Sequence, residues 1–296
     1  MPSVQANGIQ IEYESFGDPA HPAVLLIMGL GLQMLGWKES LCRALADAGF
    51  HVIRFDNRDC GLSSHFDHAG APNVLLQYLK FQLRMRLHPV YTLDDMAADA
   101  VGLMDALGVE SAHVAGASMG GMIAQNLTAR FPHRVRSLTS IMSTTGSRRL
   151  PNPEARTLKA ILAKPPRPGD VEAAIRRLHA LLSTIGSRSH PDDPALLRER
   201  CERHVRRAYR PAGMARQLVA IAAADDRSAI VRGITRPTLV VHGDEDPLLK
   251  PECGRETARL IPGARLEMLR GMGHDMPDAL AEEIVGHLVQ HFRLNS

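Results

Sequence analysis

No apolar run in this chain of 296 residues approaches the ~18 residues that a membrane-spanning helix requires, so stable bilayer insertion is not expected. The opening residues, Met1-Pro2-Ser3-Val4-Gln5-Ala6, lack the basic start and apolar stretch of a secretory leader. Only four cysteines occur, Cys42, Cys60, Cys201 and Cys253, with neither a CxxC pair nor metal-ligand spacing. That scatter argues against a disulfide framework and a thiolate-held metal, and fits reduced thiols in a cytoplasmic protein. Internal repeats, low-complexity segments and nucleic-acid-binding motifs are also missing, so no nucleic-acid partner is expected.

The formal net charge is +3, and it is unevenly spread. Residues 151–236 hold 17 Lys and Arg against 9 Asp and Glu, a net +8, whereas the remainder holds 18 against 23, a net −5. A basic module on an acidic core favours anionic substrates or surfaces, or else is an Arg-rich helical face turned to water.

Strand signals open the chain. Val4–Ala6 and Ile9–Tyr13 flank Asn7-Gly8, a strong short hairpin signal. Ala23–Met28 is the continuous apolar run of a strand covered on both faces. A helix is expected from about Trp37 to Ala48, a strand at His51–Phe55, and a helix capped at Thr92 that stops at Leu107-Gly108. Strands follow at Ser111–Ala115 and around Val135–Met142. From 147 to 235 the chain is rich in Arg, Ala and Pro with no strand pattern. Alternation resumes at Pro237–Gly243 and Arg265–Leu269, before a final amphipathic helix near 278–292. The expected architecture is α/β, a mostly parallel eight-stranded sheet flanked by helices. Its core is 1–146 with 236–296, and 147–235 is a helical cap inserted after the sixth strand, over the strand ends where such folds bind ligands.

Gly116-Ala117-Ser118-Met119-Gly120 is the most informative motif. A buried strand precedes it and a helix of small and apolar residues follows. That is the strand–turn–helix context of a nucleophile elbow, where glycines remove side chains that would collide. A serine hydroxyl needs a base, and the base needs an orienting carboxylate. Gly243-Asp244-Glu245-Asp246 places carboxylates just past one strand, and Gly271-Met272-Gly273-His274 places an imidazole past the next. Ser118, Asp246 and His274 are therefore the expected triad, with Asp244 as the competing acid. His113, inside the strand before the elbow, and His133, after Pro132, read as structural. The oxyanion is expected at two backbone N–H groups. Met119 follows the nucleophile at a helix N-terminus, and Leu30 lies in the turn Met28-Gly29-Leu30-Gly31.

With these motifs in place, the chain resembles the α/β-hydrolase superfamily of serine esterases and cofactor-free haloperoxidases. Five motifs carry the likeness: Met28–Gly31 with Trp37, Asp56-Asn57-Arg58-Asp59-Cys60-Gly61-Leu62-Ser63, Gly116–Gly121, Gly243–Pro247, and Gly273-His274. The Met-Gly start of the oxyanion loop, the elbow and the Gly-Met-Gly-His ending point to the aclacinomycin methylesterase-like branch. Many relatives carry His where Met28 stands, so a thioether replaces a side-chain contact there. The serine nucleophile disfavours aspartate-dependent dehalogenases and epoxide hydrolases. An aromatic-rich peptidase signature and an amine-binding glutamate cluster are both missing. The resemblance implies a serine carboxylesterase without metal or cofactor, acting on apolar small to medium esters through an acyl-enzyme. Perhydrolysis, lactone opening and carbon–carbon hydrolysis use the same apparatus. A non-catalytic ligand-binding relative is the reading from another class, and the full set of catalytic residues argues against it.

Two further segments bear on substrate. Met28, Met142, Met272 and Met276, with Trp37, stand beside the predicted site loops and suggest a soft apolar pocket. Residues 74–91 are apolar with interspersed cations, which suits a lid or an interfacial helix. The alternative is a face covered by the cap or by a second subunit in a homodimer.

Overall fold

The computed structural model describes residues 2–296. Eight strands, β1 Ser3–Ala6, β2 Ile9–Phe16, β3 Ala23–Ile27, β4 His51–Phe55, β5 Ala112–Ala117, β6 Val135–Ile141, β7 Thr238–Gly243 and β8 Arg265–Leu269, form one sheet in the order β1-β2-β4-β3-β5-β6-β7-β8. Only β2 runs against its neighbours. The others pair in parallel, so β3, β5, β6, β7 and β8 all end at one edge of the sheet. Asn7 and Gly8 turn the first hairpin with φ of 48° and 75°, the left-handed pair that a two-residue connection demands.

The helices are α1 Glu39–Asp47, α2 Val74–Gln82, α3 Leu93–Ala106, α4 Met119–Arg130, α5 Ala155–Leu162, α6 Val171–Ile185, α7 Pro194–Arg207, α8 Pro211–Ala223, α9 Ser228–Arg232, α10 Pro251–Leu260 and α11 Ala281–Arg293. Helix α1 begins two residues after Trp37, which closes a short 3₁₀ turn at Met34–Gly36 rather than opening the helix. Thr92 caps α3 through a reciprocal capping box with Asp95.

Alternation along the strands divides the core in two. Leu25, Ile27, Ile53, Phe55 and Val114 pack towards α3 and α4. Val24, Leu26, Val52, Ala115 and Val241 pack towards α1 and α11. Both faces are dry, which is why these strands read as unbroken apolar runs. Helices α5–α9 occupy the stretch between β6 and β7. A third, small cluster ties α6 to α7 through Ala174, Ile175, Leu197, Cys201 and Val205. Val231 and Ile234, by contrast, belong to the main core, so the end of this insertion is anchored beneath the sheet.

Candidate active site

Ser118 sits between the end of β5 and the start of α4 with φ 55° and ψ −118°, a region that a residue with a Cβ rarely enters. The surrounding chain holds it there. The Ser118 N–H donates to Ile141 O at 2.9 Å, and the Ser143 hydroxyl donates to Ser118 O at 2.8 Å. The glycines are required by contact: a Cβ on Gly116 would lie 2.1 Å from Gly120 O, and one on Gly120 would lie 2.0 Å from Ile27 O. Strand β5, helix α4 and the end of β3 thus approach more closely than any side chain permits.

His274 follows β8 in a glycine-flanked turn, with its N–H bonded to Ile185 O at 2.8 Å. Its Nδ1 lies 2.7 Å from Asp246 Oδ2, and its Nε2 lies 2.9 Å from Ser118 Oγ. With Nδ1–H directed at the carboxylate, Nε2 presents a bare nitrogen to the serine hydroxyl. Asp246 is completely buried, and the N–H groups of Leu248 and Leu249 donate to its Oδ1 at 2.8 and 2.9 Å. Burial opposes its ionisation. The imidazoles of His274 and His242, through charge and hydrogen bonding, nevertheless hold the carboxyl well below the usual aspartate range. Sequence reasoning passed over His242. It donates from Nε2 to Leu249 O at 2.7 Å and lies 3.5 Å from Asp246 Oδ2. Asp244 is elsewhere: its Oδ1 accepts the Gly271 N–H at 2.7 Å, fixing the turn that leads to His274.

The other side of Ser118 is the turn after β3. A Cβ on Gly29 would lie 3.1 Å from Ser118 Cβ, so this turn lies against Ser118. Among the described residues no acceptor meets the N–H of Leu30 or of Met119. The neighbouring Gly31 N–H is taken by Gln217 Oε1 at 2.9 Å, and Met28 O accepts from Asn57 Nδ2 at 2.8 Å.

The motif Asp56–Ser63 fastens this turn. Asp56 accepts the Met34 N–H at 2.8 Å and pairs with Arg207 at 2.7 Å. Asp59 forms a fork with Arg216 at 2.7 Å and accepts the Tyr91 hydroxyl. Arg58 forms a similar fork with Asp99 at 2.6 Å. Arg207, Arg216 and Gln217 come from α7 and α8, and no local pattern in those helices announces the task.

A cavity of about 180 Å³ opens at Ser118, lined by Met28, Leu30, Met142, His274 and Met276. Two of the residues expected in its wall are not there. Trp37 and Met272 are fully buried in the core cluster facing α1 and α11. Both stand near the right loops, but their side chains turn back onto the sheet. The missing wall comes from the inserted helices: Leu178, Leu181, Leu182 and Ile185 of α6, Leu197, Cys201 and His204 of α7, and Met214 of α8. Burial pushes the Cys201 thiol up to about 11 and the His204 imidazole down to about 4. Both are therefore neutral wall groups at pH 7. Asp275 adjoins the cavity, and burial holds its carboxyl above the usual range while the Ser187 hydroxyl donates to it at 2.5 Å.

A doubly wound sheet with a serine elbow, an imidazole and a buried carboxylate at one edge defines the class, and comparison with known proteins agrees. Residues 22–278 match the family model for the alpha/beta hydrolase fold, and the chain belongs to that family. Among curated relatives it is 30% identical to rhodomycin D methylesterase DauP of Streptomyces sp. (strain C5), over 95% of this chain and 94% of that protein. The crystal structure of the enol-lactonase from Burkholderia xenovorans LB400 superposes with a TM-score of 0.76 at 25% identity, covering 99% of this chain and 100% of that one. The meta-cleavage product hydrolase CumD from Pseudomonas fluorescens IP01 shares the fold, with a TM-score of 0.77 at 20% identity over 100% and 98% of the two chains. The methylesterase resemblance read from the motifs thus has a relative spanning nearly the whole chain.

Proposed function

We propose that this hydrolase cleaves carboxylic esters through a Ser118–His274–Asp246 triad and an acyl-enzyme intermediate. The observation that carries the reading is the continuous chain of contacts, 2.7 Å from Asp246 to His274 and 2.9 Å from His274 to Ser118, beside an apolar cavity. Attack by Ser118 Oγ on the ester carbonyl transfers its proton to His274 Nε2. Asp246, kept ionised, stabilises the imidazolium that results. The N–H groups of Leu30 and Met119 receive the oxyanion, the latter aided by the N-terminus of α4. Collapse expels the alcohol with the His274 proton, and water repeats the sequence to release the acid. The methylesterase relative supports methanol as the leaving group, and the leucine and methionine wall suits an apolar acid. The reaction needs no metal or cofactor.

Opening of a lactone is the second reading, favoured by the enol-lactonase likeness, since it breaks the same acyl–oxygen bond. The test is hydrolysis of p-nitrophenyl esters from acetyl to long acyl chains, methyl esters of bulky apolar acids, and lactones, with wild type and Ser118→Ala. Ester turnover that the substitution reduces about 10⁴-fold or more is the expected result. Turnover unaffected by Ser118→Ala sinks the triad. A folded wild type that opens lactones but leaves every ester intact overturns the esterase reading in favour of the second.

A further inference from the structure

Helix α2 takes no part in the site just described, and its sequence VLLQYLKFQ contains no buried residue. Leu75, Leu76, Leu79 and Gln82 are its exposed positions, and Leu83 at its C-cap continues them. That spacing, i, i+1, i+4, i+7 and i+8, traces one face of a helix. Leu75 is 63% exposed and Leu83 72%, and Met85 extends the stripe. The half-buried residues Tyr78 and Phe81 lie on the other side, so the helix is apolar on both its inner and its outer face. Its position is nonetheless held: α2 packs on α8, and Arg148 stacks over the Phe81 ring at 4.5 Å.

Along the chain, the charge within this segment has one sign. Residues 68–93 contain no Asp or Glu, while Lys80, Arg84 and Arg86 lie among the leucines and Arg148 adjoins them at Phe81. We propose that α2 and the turn at 83–86 dock the protein onto an anionic lipid surface. The leucines would enter the boundary of the acyl chains while the guanidinium and ammonium groups meet the phosphates. Such docking is interfacial, as no helix among the described residues is long and apolar enough to cross a membrane.

A second copy of the chain fits this face less well. A nine-residue helix is about 13 Å long, so α2 offers roughly 150 Å² of contact. A stable dimer buries about 800 Å² per partner. Two-fold pairing would also set Lys80, Arg84 and Arg86 against the same cations on the other copy.

The test is flotation of the full chain with vesicles of phosphatidylcholine alone and with one third phosphatidylglycerol. The bound fraction should rise at least tenfold with the anionic lipid and fall when salt is raised from 0.1 to 1 M. Leu75→Ser/Leu79→Ser/Leu83→Ser and, separately, Arg84→Glu/Arg86→Glu should each cut it about tenfold or more, with thermal unfolding unchanged because these side chains are already in water. Absence of binding to the anionic vesicles, or equal binding to both, overturns the proposal. So does a dimer in sedimentation equilibrium that the leucine variant abolishes, which gives the face to a second copy. None of these readouts uses ester turnover, so the result is independent of the proposed reaction.

Discussion

The loops at the sheet edge and helices α6 and α7 both face Ser118, yet they are held in different ways. Around the nucleophile, position is enforced by backbone: glycines at 116 and 120 where a Cβ would strike a carbonyl, and carboxylates closing on N–H groups. Across the cavity, Leu178, Leu181 and Leu197 supply a wall through apolar bulk alone. Contacts of the first kind tolerate almost no change in residue type. The second kind asks only for hydrophobic volume, which many sequences provide. Chemistry is thus fixed where the chain is most constrained, and selectivity sits where it is least.

That contrast can be broken or sharpened by substitution. Asp246→Asn should lower kcat about 10³–10⁴-fold in steady-state assays with the best ester, because the imidazole loses its orienting charge. The same variant tests the acid linkage. Asp246 ionises more readily in the folded chain than in the unfolded one. Its stabilising contribution is therefore complete above the unfolded value near pH 4 and declines as pH falls below it. The stability gap between wild type and variant, measured by urea unfolding, should shrink over that acid range. A gap that widens towards low pH contradicts this account.

Gly120→Ala should destabilise the fold by about 3 kcal/mol or more in denaturant unfolding, since the added methyl meets Ile27 O at 2.0 Å. Gln217→Ala should reduce kcat about tenfold with a smaller change in KM, because Gly31 loses its acceptor and the Leu30 N–H beside it loosens. An effect confined to KM would place Gln217 in substrate binding instead. The smallest effect is expected from Leu181→Ala. It should move the preferred acyl length upward and alter kcat/KM by only a few-fold for the original best ester. A loss as large as that of Gln217→Ala would erase the proposed division between edge and wall.

The same division explains what could be read from the chain before folding. The central strands are legible because a sheet dry on both faces demands apolar runs, and the half-exposed first pair because Asn7-Gly8 marks a hairpin. The meeting of Ser118, Asp246 and His274 is legible because each stands beside a glycine or a strand end, and those are local signals. Trp37 and Met272 were misplaced because proximity in sequence to a loop does not give the direction of a side chain, and theirs point into the core. The leucines of α6 and α7 carry no local mark of a cavity. Gln217, Arg207 and Arg216 were also illegible, since their partners lie more than 150 residues away in sequence.

Those long-range partners have a bearing on protein engineering. Asp56 and Asp59, in the core motif, are fully buried, and among the described residues their ion-pair partners are guanidinium groups that arrive with α7 and α8. Exchanging the inserted helices for those of a relative to change selectivity would strand both carboxylates unless the graft brought equivalents of Arg207 and Arg216. An orphaned buried charge costs about 3–5 kcal/mol, which is much of the net stability of an ordinary domain. A successful chimera should therefore end its graft before Arg207, keeping Arg207, Arg216 and Gln217 of this chain, or carry matched replacements at 56 and 59.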